Sequence, residues 1–242
     1  MAVRGQMLFD LRRHEESLPV WEECVAILRE HARRHPGVSR HDRALANAIA
    51  SLASVHSGRQ EFTAGLAAYE EALAVRGRLL AANPGQTKLR AGVGITRWNC
   101  APNLRRLGRP DEFLESSTRA LEELEGHRVV EPNDPYSRNL VENVRYTRAL
   151  HHLDSNSPDA ARSELVAAGE LDERNRLLHA ALWARCGAAF TGEDSPACYG
   201  RALDLLERAV GGPRARKILD GREIDALRDD PRFASAARRL AP

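Results

Sequence analysis

The chain has 242 residues, of which 43 % are hydrophobic, and this composition excludes a wholly disordered protein. Lys and Arg number 36 while Asp and Glu number 34, so the formal charge of +2 argues against a protein built mainly to hold nucleic acid. No run approaches the roughly 18 apolar residues of a membrane helix, and residues 1–10 lack the apolar region of a secretory signal. We therefore expect neither a membrane association nor export.

A repeat of 48 residues organises the chain. Four sets of positions keep this spacing without a gap, and every set consists of prolines or of apolar residues. The sets are Pro36, Pro84 and Pro132; Leu45, Val93 and Val141; Ala53, Ala101 and Ala149; and Ala72, Ala120 and Ala168. Because the four registers agree, we interpret the chain as an array of repeated units, each long enough for two helices.

The first unit, residues 1–35, is clipped: its first helix is represented only by residues 1 to about 11. A second helix follows with an apolar stripe at helical spacing. The stripe contains Ser17, Leu18, Trp21, Cys24, Val25 and Leu28. A shortened helix leaves part of its neighbour uncovered. This N-terminal edge therefore predicts a contact with a second copy of the chain or with another domain.

The second and third units occupy residues 36–83 and 84–131, and their second helices carry similar stripes. The stripes are Gly65, Leu66, Tyr69 and Ala72 in one unit, and Phe113, Ser117, Ala120, Leu121 and Leu124 in the next. Large and small residues alternate along them, as close helix packing requires. Both units therefore predict a pair of packed helices.

Turn residues separate the two helices of the third unit. A helix is predicted from about Thr87 to Leu107, and Gly108 follows where a left-handed residue ends a helix. Pro110 opens the second helix, where its missing N–H is harmless. Pro102 lies inside the first helix and removes one of its hydrogen bonds, so we predict a bend there.

The rest of the chain continues the array. Residues 132–175 form a fourth unit with Ala161, Leu165 and Ala168 on its stripe, and residues 176–211 form a degenerate fifth. Residues 212–242 are predicted to supply C-terminal capping helices. Residues 1–242 are thus expected to form a single domain.

The second helices resemble the tetratricopeptide repeat (TPR), in which a small residue, a large one and an alanine follow at spacings of four and three. Gly65, Tyr69 and Ala72 match this pattern. Segments 79–84, 107–112 and 227–233 are similar to segments of long bacterial TPR arrays, notably planctomycete ones that follow serine/threonine kinase domains. The resemblance implies an all-α fold, a right-handed superhelical array of antiparallel helix pairs, and a protein-binding role.

Signatures of enzymes are missing from the sequence. There is no GxxxxGK[ST] phosphate loop, no kinase HRD or DFG motif and no GxSxG elbow. We therefore expect no enzymatic activity and no cofactor. The alternative, an enzyme, would need a pocket that joins a histidine to an acid, for example His56, or His152 near Asp154.

The histidines are candidate metal ligands, and the cysteines are candidates for a disulfide. His31 and His35 share one helix face, with His41 or Glu30 as a third candidate ligand, but a solvated helix end explains them equally. We expect no metal site. The four cysteines show no CxxC motif and predict free thiols in a reducing, cytoplasmic compartment, with a Cys186–Cys198 disulfide as the alternative for an exported protein. 

The densest basic patch surrounds Trp98 and includes Arg97, Arg105, Arg106 and Arg109. It could bind an acidic or carboxylate-ended peptide through the arginines. Single-stranded nucleic acid is another candidate ligand, and a solvated face balanced by glutamates is a third interpretation.

The repeat register predicts which residues of the first helices line a concave groove. The candidates for partner binding are Asn47, Ser54, Trp98, Arg105, Asn143 and Tyr146. Large aromatic and arginine side chains dominate binding energy at interfaces. We therefore predict a non-enzymatic scaffold that binds a peptide or helix of a partner protein. The alternatives are a nucleic-acid-binding helical-repeat regulator, and a fragment of a larger signalling protein whose catalytic domain lies upstream.

Overall fold

A computed structural model of the protein describes residues 1–169, 175–190, 194–210 and 215–240. The chain divides into two compact units, residues 1–137 and 138–242, and we describe each by itself. All regular secondary structure in the described ranges is helical. The predicted all-α class is therefore confirmed.

Three consecutive helix pairs build unit 1. The helices are α1 (Ala2–Asp10), α2 (His14–Arg34), α3 (Ser39–Gly58), α4 (Phe62–Ala82), α5 (Thr87–Arg106) and α6 (Pro110–Val130). Each helix packs against the next along the chain, and the first helices of the pairs, α1, α3 and α5, also contact one another in sequence. Unit 1 is therefore a solenoid segment, with α1, α3 and α5 side by side on one face.

The turn inside each pair recurs every 48 residues with the same geometry. Arg12, Gln60, Gly108 and Asn156 all have positive φ, at 58°, 65°, 68° and 54°. In each turn the following residue donates its backbone N–H to the carbonyl five residues before it, as from Arg109 to Leu104 at 2.9 Å. This bond and the left-handed residue define a Schellman-type helix end. The repeat predicted from the sequence is thus present in the backbone.

Small residues allow the helices of unit 1 to approach closely. The predicted stripes are buried, with Ser17, Phe113, Ser117, Ala120 and Leu124 at 0 % exposure. Gly65 shows why a small residue is needed: an added Cβ would lie 3.1 Å from the Ala53 carbonyl oxygen and 2.7 Å from Asn103 Nδ2. Any larger residue at 65 would push α4 away from α3 and α5.

Prolines lie inside two helices of unit 1. Helix α5 continues through Pro102 and ends at Arg106, while α2 continues through Pro19. Of the two, only Pro102 was predicted from the sequence to lie inside a helix. The bend at Pro102 stays a prediction.

Unit 2 contains the remaining helices. They are α7 (Pro135–Asp154), whose first residues precede the unit, α8 (Pro158–Ala168), α9 (Arg176–Ala189), α10 (Asp194–Arg208), α11 (Ala215–Leu219), a 3₁₀ helix (Arg222–Leu227) and α12 (Pro231–Leu240). Helix α9 lies at the centre, since it contacts α8, α10, α11 and the 3₁₀ helix. The predicted repeat boundaries near 175 and 211 adjoin residues 170–174 and 211–214, which lie outside the described residues.

Ion pairs at low exposure connect α7 to α8 in unit 2. Glu164 on α8 accepts hydrogen bonds from Arg148 at 2.6 Å and from Arg145 at 3.2 Å, and all three side chains are largely buried. Paired charges at such depth stabilise one another only when hydrogen bonds join them, and Glu164 accepts one from each arginine. This fourth helix pair is therefore joined by charge as well as by apolar packing.

Candidate functional site

Two cavities open in unit 1, and helices α3 and α5 contribute to the lining of both. We call them the Arg76 cavity, about 710 Å³, and the Trp98 cavity, about 630 Å³. Residues in equivalent repeat positions line each of them. The equivalent residues are 48 positions apart. The Arg76 cavity contains the pairs Arg43/Ala91 and Asn47/Ile95. The Trp98 cavity contains the pairs Phe9/Ser57, Asp10/Gly58 and Ser54/Pro102. The repeat itself thus builds a continuous lining from successive helices.

The Arg76 guanidinium lies between α3 and α5 at the Arg76 cavity. Its Nη2 donates a hydrogen bond to Asn47 Oδ1 at 2.8 Å, while its Nε is buried with no hydrogen-bond partner among the described residues. Nη1 rests on Gly92, where an added Cβ would collide with it. Burial lowers the pKa of this guanidinium. Among the described residues, no carboxylate lies within ion-pair distance of it.

A histidine and an acid face the same cavity from the end of α6 and the segment after it. His127 is 5 % exposed, its Nε2 lies 3.5 Å from Asp134 Oδ2, and its Nδ1 has no hydrogen-bond partner. Hydrogen bonds from Ser137 lower the pKa of Asp134, and the Tyr136 amide also donates to it. The acid is therefore ionised at neutral pH and held by its own local partners.

Hydrogen-bonded polar groups and aromatic rings mix in the Trp98 cavity. Tyr69 and Ser54 share a hydrogen bond of 2.8 Å, and Asn103 Nδ2 donates to Ser57 Oγ at 2.9 Å. Trp98 is partly exposed and packs one side against the core cluster that contains Tyr69. Its ring thus has both a structural contact and an exposed surface.

Three of the six predicted groove residues line these cavities. Asn47 belongs to the Arg76 cavity, and Ser54 and Trp98 belong to the Trp98 cavity. Arg105 points elsewhere, with its guanidinium 5.7 Å from the centroid of the buried Phe113 ring. The basic patch is also dispersed, because Arg109 forms a two-bond ion pair with Glu112 at 2.6 Å.

The other two predicted residues lie in unit 2, and one of them is corrected. Asn143 is exposed on α7, as expected. Tyr146 was expected to be exposed, yet it is only 5 % exposed and packs edge-on against His179, with ring centroids 4.7 Å apart. Helix α9 covers this face of α7, so Tyr146 is a core residue although it shares the repeat register of Trp98.

Arg76 and His127 were missed by the sequence analysis. A signal for Arg76 was present: the equivalent positions of the neighbouring repeats hold Leu28 and Leu124. A charged residue at a leucine position of the repeat is an anomaly in the core pattern. His127 carried a weaker signal of the same kind, because the equivalent position of the preceding repeat holds the buried Leu79, whereas that of the first repeat holds His31.

The other candidates from the sequence were a histidine metal site, a histidine–acid pair and a disulfide. The rings of His31, His35 and His41 form a triangle with centroids 5.5 to 5.9 Å apart, but no set of three ligating groups in the described ranges is arranged to hold a metal ion. His56 Nδ1 lies 2.7 Å from Glu61 Oε2 at the turn between α3 and α4. Cys186 and Cys198 are free and buried, so the alternative of a disulfide between them is not realised.

Comparisons with known proteins add little to this picture. No protein-family model and no curated protein sequence matches the chain. Among solved structures, it is similar to the crystal structure of BtubC (BKLC) from P. vanneervenii, at 16 % identity and a TM-score of 0.42, over 85 % of this chain and 90 % of that chain. A likeness at this level carries no argument about function. 

The fold itself defines the class. Paired helices with a recurring turn every 48 residues make the chain a helical-repeat protein. None of the described helices is both long enough and apolar enough to cross a bilayer.

Proposed function

We propose that the protein is a non-enzymatic protein-interaction module of the TPR type, acting in the cytoplasm. In this proposal the α1/α3/α5 face of unit 1 binds an extended segment of a partner protein. The four free, buried cysteines support a reducing compartment. The sequence resemblance to long bacterial TPR arrays supports the repeat type.

One observation carries the proposal: both cavities lie on the same pair of helices, α3 and α5. Asn47 and Ser54 are seven residues apart on α3, as are Ile95 and Pro102 on α5. A helix rises about 1.5 Å per residue, which separates the cavities by about 10 Å. An extended chain covers about 3.3 Å per residue, so side chains three residues apart would reach both cavities.

The chemistry of the two cavities suits a peptide better than a catalytic reaction. The Arg76 cavity does join a histidine to an acid through His127 and Asp134, which is the feature that an enzyme would require. No serine, threonine or cysteine is found among the residues that line it, so His127 has no hydroxyl or thiol to activate there. Hydrogen-bonding groups and a partly exposed tryptophan are instead typical of peptide recognition.

A peptide library displayed on phage and selected against the full chain would test this function. Selected peptides are then measured against Trp98→Ala, after circular dichroism confirms its helicity. Loss of an aromatic anchor weakens binding by about 2 kcal/mol, or about 30-fold. Arg105→Ala, which alters the same helix outside both cavities, is the matched control and should bind like wild type.

Equal affinity for wild type and Trp98→Ala would place the binding surface elsewhere and contradict the proposal. Salt-sensitive binding of single-stranded oligonucleotides, with no peptide selected, would favour the nucleic-acid alternative instead.

Helix α1 supports a second candidate contact, self-association through the N-terminal edge. Val3, Met7 and Leu11 lie exposed along α1 at spacings of four. At the repeat position of Met7, Val55 and Asn103 are both buried in later pairs. Sedimentation of wild type and Met7→Glu at several concentrations tests this contact. A wild-type chain that stays monomeric throughout would contradict it.

A further inference from the structure

The strongest unexplained feature of the molecule is the unpaired charge of Arg76. An isolated charge is unfavourable away from water unless an opposite charge or several hydrogen bonds compensate it. Within the described part of the chain, Arg76 makes one hydrogen bond, to Asn47, and its buried Nε has no partner. Burial lowers its pKa, although part of the side chain stays in contact with solvent. 

Packing alone does not explain an arginine at this position. The equivalent residues Leu28 and Leu124 fill the same place between consecutive helix pairs with apolar atoms, and Leu124 is fully buried. A leucine at 76 would therefore complete the core as it does in the neighbouring repeats. The arginine instead places its guanidinium over Gly92, where an added Cβ would collide with Nη1.

The surroundings of Arg76 favour a negative ligand. Arg43 and Lys88 line the same cavity, and neither has a carboxylate within ion-pair distance in the described part of the chain. The first turn of α5 also lines it and contains no acidic residue. The amino end of a helix carries a partial positive charge, so it adds to the field of the side chains.

Two acids at the rim, Asp134 and Glu131, offset this field only in part, since three basic side chains line the cavity. Asp134 accepts hydrogen bonds from the amides of Tyr136 and Ser137 and lies beside His127. Glu131 is exposed to solvent beyond the end of α6. The cavity of about 710 Å³ has ample room for an anionic group between Arg76 and the α5 turn.

We propose that the Arg76 cavity is a binding site for an oxyanion, a carboxylate or phosphate group, which Arg76 holds through its free guanidinium N–H groups with Arg43 and Lys88 beside it. A guanidinium suits such groups because its planar fork donates two parallel hydrogen bonds. The inference deepens the proposed function, since an acidic side chain of a bound segment is one source of the anion. A free small anion is the other.

Small anions test the site without any partner protein. Binding of succinate and of inorganic phosphate to the full chain is measured by isothermal titration calorimetry, with chloride at equal ionic strength as the blank. Arg76→Leu removes the charge and restores the leucine of the neighbouring repeats. Arg78→Leu, an exposed position on the same helix, makes the same change in charge outside the cavity.

We expect wild type and Arg78→Leu to bind at least one of the anions, and Arg76→Leu to bind it about tenfold more weakly or not at all, the effect of losing one charge-assisted hydrogen bond. Gly92→Ala keeps every charge but displaces the guanidinium, so it should weaken binding as well. Thermal unfolding of each variant in chloride checks that it is folded. Equal binding by Arg76→Leu and wild type would overturn the proposal, as would the absence of binding of both anions to wild type.

Peptides separate the two sources of the anion and the two proposals. A glutamate-containing peptide that competes with succinate identifies an acidic partner segment, whereas anion binding without competition identifies a free small anion. Peptides that bind through Trp98 with no dependence on Arg76 or on acidic residues would overturn this inference and leave the proposed function standing. Anion binding in a chain that selects no peptide would do the reverse.

Discussion

Replacing each of two buried tyrosines by phenylalanine should change the free energy of unfolding in opposite directions. Tyr146 and Tyr69 are 5 % and 3 % exposed. The Tyr69 hydroxyl shares a hydrogen bond of 2.8 Å with Ser54, whereas the Tyr146 hydroxyl is buried and has no partner within the described ranges. Burial raises the pKa of both phenols, as expected for groups removed from water.

The magnitudes follow from the hydrogen bonds. An unsatisfied buried hydroxyl destabilises the folded state by about 1–3 kcal/mol, so Tyr146→Phe should raise the free energy of unfolding by about 1 kcal/mol. The ring contact with His179 remains, since phenylalanine keeps the ring. Tyr69→Phe loses a made hydrogen bond and should lower the free energy of unfolding by about 1 kcal/mol.

Denaturation in guanidinium chloride measures both changes. The two tyrosines belong to different compact units, so each variant is compared with wild type in the transition of its own unit. Trp21 and Trp98 report on unit 1 by fluorescence, and Trp183 reports on unit 2. Thermal unfolding provides a second measurement, in which 1 kcal/mol corresponds to a shift in Tm of about 2–4 °C for a chain of this size. If Tyr146→Phe loses as much stability as Tyr69→Phe, its hydroxyl has a partner, such as a buried water, and the reasoning is refuted.

Further predictions concern the backbone and pH. Gly108 has a φ of +68°, so Gly108→Ala should reduce stability by about 1 kcal/mol. Gly77 lies inside α4 with open space around it, so Gly77→Ala should increase stability by about 0.5–1 kcal/mol. Chemical denaturation of both variants checks the two signs. Burial lowers the pKa of His179 to about 4, below the value of about 6.5 in the unfolded chain, so the unfolded state binds the proton first as the pH falls. Stability should therefore decrease from about pH 6.5 to about pH 4, by about 3 kcal/mol, and His179→Phe should remove that part of the slope in thermal unfolding across this range. An unchanged slope would show that His179 is not the titrating group.

The repeat and its helix pairs were predictable from the sequence because their causes are local. The spacing of a stripe such as Phe113, Ser117 and Ala120 is enough to predict a buried helix face. Gly108 before Pro110 likewise predicts a helix end and a new start, and both are observed. The same turn at Arg12, Gln60 and Asn156 carries no glycine, so residue type gave no signal for a left-handed residue at those positions.

The cavities could be predicted only in part. Asn47, Ser54 and Trp98 were expected on the binding face and line the two cavities. Arg76 was not considered, because its residue type alone suggests an exposed, solvated side chain. Its role depends on the residues around it: Gly92 and Asn47 contact the guanidinium, and no carboxylate of the described residues lies within ion-pair distance.

Trp98 and Tyr146 show what only the tertiary structure decided. They occupy the same register of the repeat and were expected to share one role. Trp98 lines an open cavity, whereas Tyr146 is covered by His179 of α9. The sequence by itself determined where helices begin, end and turn, since those depend on neighbours within a few residues. Solvent exposure and the pairing of charges depend on helices far away in the chain, and for that reason only the folded arrangement could decide them.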